Sequence, residues 1–440
     1  MKDILEIKES FDHRAIIIQV DFPKKREAFS SMDAFAEFKG LVLSSGANIS
    51  HEELFKQAKP ISGLFISKGK VERIKILAEE THSDLVIFNH DLSPSQERNL
   101  ENIFQKRVLD RTGLILDIFS VRASSHVGKL QVELAQLSHL STRLVRGWSH
   151  LERQKGGIGL RGPGETQLET DRRLLNHRIK SIKKKLDKTH KQRAVNRYSR
   201  KKSSQTLVAL IGYTNAGKTT LFNLLTQSQL YADDKLFATL DSITRKNSIL
   251  GLDDILFSDT VGFISNLPTQ LIESFKATLD ELKAADMLIH VIDISDPDFL
   301  FKSEQVLKIL EELGLSSIPQ IRVHNKCDKI ELNVKRNLAK KSNHEVLISA
   351  LRNQGINELV SSIHFHRQKN IMRQWIELEP DQGKIRSKLY SLDRVVEETT
   401  NEVGMIKLLL EIDEKELNNL VSHNDIRLVS NGEKISITDY

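Results

Sequence analysis

The stretch that decides the fold is TLVALIGYTNAGKTTLFNLL, from Thr206 to Leu225. Its first part, Leu207–Ile211, is a continuous apolar run and predicts a buried strand. The next eight residues fit G-x-x-x-x-G-K-[ST], a pattern that joins a strand to a helix and wraps phosphate groups in backbone amides. We therefore predict a phosphate-binding loop made of Gly212, Tyr213, Thr214, Asn215, Ala216, Gly217, Lys218 and Thr219.

Within this loop, Lys218 should reach the β- and γ-phosphates and the hydroxyl of Thr219 should bind Mg²⁺. Further along, ILFSDTVGF reads as an apolar strand that ends at Asp259 and is followed by Thr260, Val261 and Gly262. We expect Asp259 to hold Mg²⁺ through water, and the amide of Gly262 to sense the γ-phosphate.

The base should be guanine. QIRVHNKCDK gives a strand followed by Asn325, Lys326, Cys327 and Asp328. A carboxylate such as that of Asp328 accepts both N1–H and N2–H₂ of guanine, a donor pair that adenine lacks. The only cysteine of the chain lies in this motif, where we expect a small packing residue. After a further strand, EVLIS, a loop that contacts guanine O6 is predicted at Ser349, Ala350 and Leu351.

A switch should lie between the phosphate loop and Asp259. LFATLDSITRK contains Thr239 and Thr244, and spacing alone leaves both open as the Mg²⁺ ligand. Phe263 stands where some GTPases place a glutamine that orients water, so we expect slow intrinsic hydrolysis. Asn215 is equally a K⁺ ligand or a turn-capping side chain.

A glycine-rich run, GGIGLRGPGETQLETDRR (Gly156–Arg173), lies upstream. A helical pattern leads into it, so it is a poor mononucleotide site, because such sites follow a strand. Apolar residues repeat at coiled-coil spacing on both sides of the run. We therefore predict a helical hairpin whose exposed tip carries Arg161. The spaced residues are Leu130, Leu134, Leu137, Ser141 (a single polar break), Leu144, Trp148 and Leu151 before the run, and Leu175, Ile179, Ile182 and Leu186 after it.

The positive charge is concentrated in the second arm of this hairpin. Arg172–Lys202 contains 14 Lys or Arg and one acid, so it carries +13 whereas the rest of the chain carries −7. Such a segment favours a polyanion partner over a merely solvated helix face. A membrane surface is a weaker alternative, because the apolar seam is narrow. The predicted RNA-binding residues are Arg161, Arg172, Arg173, Lys183, Lys184 and Lys185.

Composition limits the class of protein. A single cysteine excludes an intrachain disulfide and fits a reducing compartment. The start, MKDILEIKES, has no apolar core of a signal peptide, and no apolar run approaches the ~18 residues of a membrane span. We expect a cytoplasmic, soluble monomer.

The chain reads as a multidomain α/β protein. Residues 1–120 should form an α/β domain with strands at RAIIIQV, GLFISKG and DLVIFNH. The basic hairpin should occupy 121–203, with its tip at 156–164. A doubly wound, mostly parallel GTPase domain is predicted at 206–367, with strands at LVALI, ILFSD, MLIHVID, QIRVHN and EVLIS. A small α+β domain should follow at 372–440, with strands at MIKLLLEI and EKISIT.

Together, GGIGLRGPGETQLETDRR, GYTNAGKTT, FATLD, DTVGF and NKCD resemble the HflX family of ribosome-associated GTPases. The resemblance implies a Mg²⁺-dependent GTPase that binds the large ribosomal subunit and splits or rescues stalled ribosomes. It also implies that Phe237, Ala238, Thr239, Leu240 and Asp241 form the switch, with Thr239 as the Mg²⁺ ligand. Lys218, Thr239 and Gly262 would then be the catalytic group. Ser242 departs from the proline that is usual in this segment.

Three other readings stay open. The protein could be a binding or assembly factor for the large subunit, in which GTP gates docking and hydrolysis is incidental. It could be an ATP-driven RNA remodeller, although Asp328 argues for guanine. The basic segment could also lie on a membrane surface.

Overall fold

The computed structural model describes residues 13–23, 31–147, 163–202, 205–230, 236–237, 239–240, 242–247, 255–265, 282–331, 345–368, 371–391, 394–400, 404–413, 417, 420–421, 426–429 and 433–434. The chain divides into two compact units. The first comprises Met1–Glu331 with Ser349–Arg352, and the second comprises Leu332–Ile348 with Asn353–Tyr440.

The first unit begins with a small parallel sheet. Its strands are β1 (Arg14–Asp21), β2 (Asn48–Lys56), β3 (Leu85–Phe88) and β4 (Arg107–Leu109), in the order β2-β1-β3-β4. Four helices accompany them: α1 (Ser31–Ser44), α2 (Lys68–Glu80), α3 (Pro94–Phe104) and α4 (Arg111–Arg122).

Both faces of this sheet are covered, as is usual for parallel sheets. In β1, Ala15 and Ile17 belong to one buried cluster, whereas Ile16 and Ile18 belong to another. The uninterrupted apolar run of β1 follows from this, since successive side chains point to opposite faces. The predicted N-terminal α/β unit is confirmed.

One strand prediction in this region is wrong. GLFISKG, residues 63–69, is not a strand: Phe65 has φ 64°, and α2 begins at Lys68. The second strand of the sheet is instead β2. It was not predicted, because its sequence NISHEELFK mixes polar and apolar residues without a clear strand pattern. This strand lies at the edge of the sheet, where only part of it is buried, so its apolar pattern is weak.

Two long helices follow, α5 (His126–Gly147) and α6 (Pro163–Lys202). Leu130 and Leu134 of α5 pack against Ile182 and Leu186 of α6 in a separate buried cluster. The cluster joins residues of the seam predicted for a helical hairpin. Arg178 of α6 also pairs with Glu133 of α5 at 2.6 Å. The predicted tip up to residue 162, including Arg161, and the seam residues Trp148 and Leu151 lie outside the described residues.

A second α/β sheet completes the first unit. Its strands are β5 (Thr206–Gly212), β6 (Ile243–Lys246), β7 (Ile255–Asp259), β8 (Met287–Asp293) and β9 (Gln320–Asn325). They lie in the order β9-β8-β5-β7-β6, all parallel except the edge strand β6. The helices are α7 (Lys218–Thr226) and α8 (Phe299–Glu312). This confirms the predicted parallel-sheet domain; β6 was not predicted.

The second unit contains β10 (Glu345–Leu347) and α9 (Ile356–Gln368), followed by an antiparallel sheet. The strands of that sheet are β11 (Ile371–Leu378), β12 (Val395–Thr400), β13 (Ile406–Asp413), β14 (Arg427–Leu428) and β15 (Glu433–Lys434). The helix α10 (Gly383–Ser391) buries Leu389 against Ile376 and Leu410. The α+β prediction is confirmed, although β11 and β12 were not predicted.

Candidate nucleotide-binding site

A cavity of about 440 Å³ lies at the carboxyl ends of the parallel strands of the second sheet. Five segments line it: the loop after β5, the segment before β6, the loop after β7, the loop after β9 and the loop after β10. The lining residues are Thr214, Asn215, Gly217, Lys218, Thr219, Thr220, Phe237, Thr239, Thr260, Gly262, Asn325, Lys326, Asp328, Lys329, Ser349, Ala350 and Leu351.

The loop Gly212–Thr219, which we call the P-loop, connects β5 to α7 by a tight path. Gly217 has φ +89°, and a Cβ there would come within 2.3 Å of Nδ2 of Asn325. A side chain at this position is therefore excluded both by conformation and by space. Residues of the loop and of the first turn of α7 line the cavity together, and a loop that leads into a helix N-terminus is the arrangement that binds phosphate.

Lys218 places a cation at this phosphate end. It is 6 % exposed, and its Nζ donates a hydrogen bond to the carbonyl oxygen of Tyr213 at 2.8 Å. Burial lowers the pKa of Lys218 to about 8, although the carboxylate of Asp259 opposes this shift. An anionic phosphate group would supply the charge that favours the protonated amine.

Three oxygen-bearing side chains meet beside Lys218. The hydroxyls of Thr219 and Thr239 are 2.7 Å apart, and Thr219 donates a hydrogen bond to Oδ2 of Asp259 at 2.8 Å. Burial raises the pKa of Asp259. Mg²⁺ prefers oxygen ligands that include a carboxylate, so these three residues fit the ion. A bound Mg²⁺ would also offset the buried charge of Asp259. Thr244, the alternative left open by spacing, lies instead in β6 near Ser258.

At the base end, Asp328 is positioned by Ser349, whose Oγ donates a hydrogen bond to Oδ1 of Asp328 at 2.6 Å. This hydrogen bond is the main cause that lowers the pKa of Asp328, which keeps the side chain an acceptor. Asn325 connects the P-loop to the segment Ser349–Leu351. Its Nδ2 donates a hydrogen bond to Ala216 O at 2.9 Å, and its Oδ1 accepts one from Ala350 N at 3.0 Å.

The segment after β7 is bound directly to the P-loop. Thr214 N donates to Phe263 O at 2.8 Å, and Phe263 N donates to Gly212 O at 3.1 Å. The side chain of Phe263 is 3 % exposed and belongs to the hydrophobic core. It therefore turns away from any water that attacks a γ-phosphate. Gly262 lies against Thr214 and within reach of Lys218 Nζ.

Some predicted site residues do not line the cavity. The segment from Ala238 to Asp241 is only partly described, and Ala238 and Asp241 themselves lie outside the described residues. Two lining residues, Thr220 and Lys329, were not predicted; each directly follows a motif residue, which was the available signal. Described but not lining the cavity are Gly212, Tyr213, Ala216, Leu240, Asp259, Val261 and Cys327.

Tyr213 instead points toward the N-terminal sheet region. Its hydroxyl donates to the carboxylate of Glu37 in α1 and accepts from Ser265 N at 2.7 Å. Arg111 of α4 also donates to Glu37, at 2.7 Å, and to Ser265 O, at 3.0 Å. Sequence reasoning missed Glu37 and Arg111, because no local pattern marks a contact over such a separation.

Five of the predicted RNA-binding residues lie on the surface of α6. Arg172 and Arg173 are exposed, and so are Lys183, Lys184 and Lys185, which lie between the buried Ile182 and Leu186 within about one helical turn. Among the described residues, no helix is long and apolar enough to cross a membrane.

The fold and the site define a P-loop GTPase. Residues 32–120, 122–200 and 207–326 match families described as GTP-binding GTPase N-terminal, GTP-binding GTPase Middle Region and 50S ribosome-binding GTPase. The chain is 44 % identical over 398 residues to GTPase HflX of Escherichia coli (strain K12), covering 90 % of this chain and 92 % of that one. It therefore belongs to the HflX family of GTPases, and it is a GTP hydrolase.

A second HflX relative agrees with this assignment. GTPase HflX of Alkalihalophilus pseudofirmus is 46 % identical over 324 residues, covering 74 % of this chain and 76 % of its own. Among solved structures, a GTP-binding protein from the archaeon Sulfolobus solfataricus in complex with GDP covers 80 % of this chain and 98 % of its own, at 23 % identity and a TM-score of 0.43.

Proposed function

We propose that this GTPase binds the large ribosomal subunit in its GTP-bound state and splits or rescues stalled ribosomes. The observation that carries the proposal is the exposed basic surface of α6, which belongs to the same unit as the GTP site. A family matched by the GTPase domain is described as ribosome-binding, which supports the same target. Such a partner places the protein in the cytoplasm, where we expect it to act as a monomer.

The site residues have distinct proposed roles. Lys218 binds the β- and γ-phosphates, and Gly262 donates its amide to the γ-phosphate. Thr219 and Thr239 bind Mg²⁺ directly, and Asp259 binds it through water. When bound, this ion neutralises charge that develops between the β- and γ-phosphates. Asp328 selects guanine, and Asn215 is the candidate K⁺ ligand.

The buried side chain of Phe263 favours one alternative. Because this residue cannot orient water, hydrolysis could be incidental, and the protein would then be a GTP-gated assembly or binding factor for the large subunit. The two proposals differ in what the ribosome does: a splitting factor separates intact ribosomes, whereas an assembly factor binds free large subunits and leaves intact ribosomes whole.

The test is gradient co-sedimentation of the full-length protein with intact ribosomes and with separated subunits. Each sample contains either a non-hydrolysable GTP analogue or GDP. We expect binding to the large subunit with the analogue alone, together with loss of intact ribosomes. Binding without that loss would favour the assembly factor. Equal binding in both nucleotide states, or none, would contradict both proposals.

A further inference from the structure

A second cavity lies behind the P-loop, and its volume of about 750 Å³ is typical of small-molecule sites. Its walls come from α1, from the P-loop at 213–216 and from the end of β8 with the loop that leads into α8. It shares Thr214 and Asn215 with the nucleotide cavity, but its lining includes none of Lys218, Thr219 and Asp328. It is therefore a separate site.

The described lining of this second cavity is strongly acidic. Its only Lys or Arg is Lys302. Because the lining carries more carboxylates than cations, it disfavours a second nucleotide or another anion. Its five carboxylates are Asp33, Glu37, Asp293, Asp296 and Asp298.

Three of these carboxylates form salt bridges with cations of the protein, and the charge of Lys302 also acts on Asp298. The pairs are Arg111 with Glu37 at 2.7 Å, Lys326 with Asp293 at 2.7 Å, and Lys302 with Asp296.

The other two carboxylates, Asp33 and Asp298, hydrogen-bond to each other. Burial, and after it the charge of Asp33, raises the pKa of Asp298. Two carboxyl groups can share a hydrogen bond only if one of them holds a proton. A ligand cation between them would take the place of that proton and let both groups ionise.

The cavity also contains buried acceptors. His290 lines it and is 1 % exposed, and within the described part of the chain its Nδ1 has no hydrogen-bond partner. Burial lowers the pKa of His290 to about 3, so the ring is neutral, and Nδ1 is a hydrogen-bond acceptor in the tautomer that carries the proton on Nε2. The hydroxyl of Thr214, which is also buried, lacks a partner in the same way. Unsatisfied buried polar atoms call for a ligand or water.

We propose that this cavity binds an organic cation with ammonium groups on an aliphatic body, the class of the diamines and polyamines. Ammonium groups only donate hydrogen bonds, and the polar lining offers carboxylates, a neutral imidazole and a hydroxyl that accept them. Leu43, Leu236 and Phe299 give apolar walls for the methylene chain. A bare metal ion would use neither these walls nor the volume.

The occupant would touch both α1 and the P-loop. Its affinity should therefore depend on the nucleotide state, and nucleotide affinity should depend on the occupant by the same factor.

The test is calorimetric titration of spermidine into the nucleotide-free, full-length protein at constant ionic strength. Nucleotide is omitted because its phosphates bind polyamines themselves. The variants are D298N and D33N/D298N, neither of which alters the nucleotide cavity. The control is E79Q/E80Q, which removes two exposed carboxylates from α2. We expect the wild type and the control to bind equally, and binding to weaken roughly tenfold for each cavity carboxylate removed.

Unfolding curves of the variants without spermidine establish that each is folded. If D33N/D298N does not fold, the single variant D298N carries the comparison, because Asp298 lies in the loop before α8. The proposal is overturned by any of three results: no binding of spermidine at low millimolar concentration, equal weakening in E79Q/E80Q, or displacement of spermidine by an equal concentration of Mg²⁺.

Discussion

The carboxylate of Glu37 in α1 accepts a hydrogen bond from the hydroxyl of Tyr213 in the P-loop, although 176 residues separate them. Arg111 and Ser265 donate to the same carboxylate, at 2.7 Å each. Ser265 lies three residues after Gly262, in the segment that should sense the γ-phosphate. The N-terminal region is thus in contact with the P-loop and with the segment that follows Gly262.

Replacing Arg111 with methionine should destabilise the protein strongly. The side chains of Arg111 and Glu37 are 7 % and 6 % exposed, so the variant leaves a buried carboxylate without its cation. We expect a loss of about 3–5 kcal/mol in the free energy of unfolding, measured by urea denaturation. The double variant R111M/E37L should recover part of it, because it removes both charges but also the carboxylate that accepts from Tyr213 and Ser265. A loss below about 1 kcal/mol in R111M would show that the pair contributes little.

Tyr213→Phe tests the same cluster without removing a charge. It deletes the hydroxyl shared by Glu37 and Ser265 and should cost about 1–3 kcal/mol. Its ring does not line the nucleotide cavity, so GDP affinity should stay within a fewfold of the wild type. A large loss of GDP affinity at unchanged stability would contradict this description of Tyr213.

Lys218→Met should abolish nucleotide binding, and it also tests the burial of the amine. The folded, nucleotide-free protein holds the pKa of Lys218 at about 8, below its ordinary value of 10.5. Between these values the unfolded state binds more protons, so stability rises with pH in that window. Below about pH 8 the full penalty of the buried charge applies.

We therefore expect K218M to be more stable than the wild type near pH 7, and the difference to shrink as pH rises from about 8 toward 10. Urea unfolding of both proteins without nucleotide measures it. A difference that is constant over this range would mean that Lys218 is not buried as a charged group. Tight GTP binding by K218M would contradict the assignment of the phosphate site.

Gly262→Ala should impair hydrolysis more than GDP binding. A Cβ at this position would lie 2.9 Å from Thr214 Cα and 3.0 Å from Lys218 Nζ, so the segment must move away from the γ-phosphate position. We expect hydrolysis to fall at least tenfold while GDP affinity changes little. Gly383→Ala is the matched control, since a Cβ there meets nothing within 4 Å. Equal hydrolysis in both variants would remove Gly262 from the catalytic group.

The parts of this structure that sequence could predict are those in which a local motif determines the geometry. Three continuous segments have strong patterns: the strand that leads into the P-loop, the strand that ends at Asp259 and the strand that ends at Asn325. All three strands are present, as β5, β7 and β9. The contacts of Glu37 and Arg111 could not be predicted, because they depend on how two sheets pack. β2 was missed for a related reason: an edge strand needs little apolar sequence, whereas GLFISKG buries Phe65 and Ile66 without forming a strand.

Asp328→Asn should change base selectivity. The carboxylate is held by Ser349 at 2.6 Å and accepts two hydrogen bonds from guanine in the proposed complex. An asparagine keeps one acceptor and adds a donor, which suits the C2 carbonyl of xanthine. We expect GTP affinity to fall roughly 10²–10⁴-fold and XTP affinity to rise, from two charge-assisted hydrogen bonds of about 1.5–3 kcal/mol each. Competition of GTP, XTP and ATP for the site measures it, and unchanged GTP preference would exclude Asp328 as the base reader.

The basic surface of α6 makes the sharpest prediction for the ribosome. K183A/K184A/K185A removes three exposed cations and should weaken large-subunit binding. If each lysine contacts a phosphate of the rRNA, the slope of log affinity against log salt should become less steep by about two to three. The control K308A/K384A/K388A removes three exposed lysines from α8 and α10 and should leave that slope unchanged. GTP hydrolysis without ribosomes should be equal in all three proteins, since none of these lysines lines the nucleotide cavity. A slope that is the same in both variants would show that α6 is not the RNA contact.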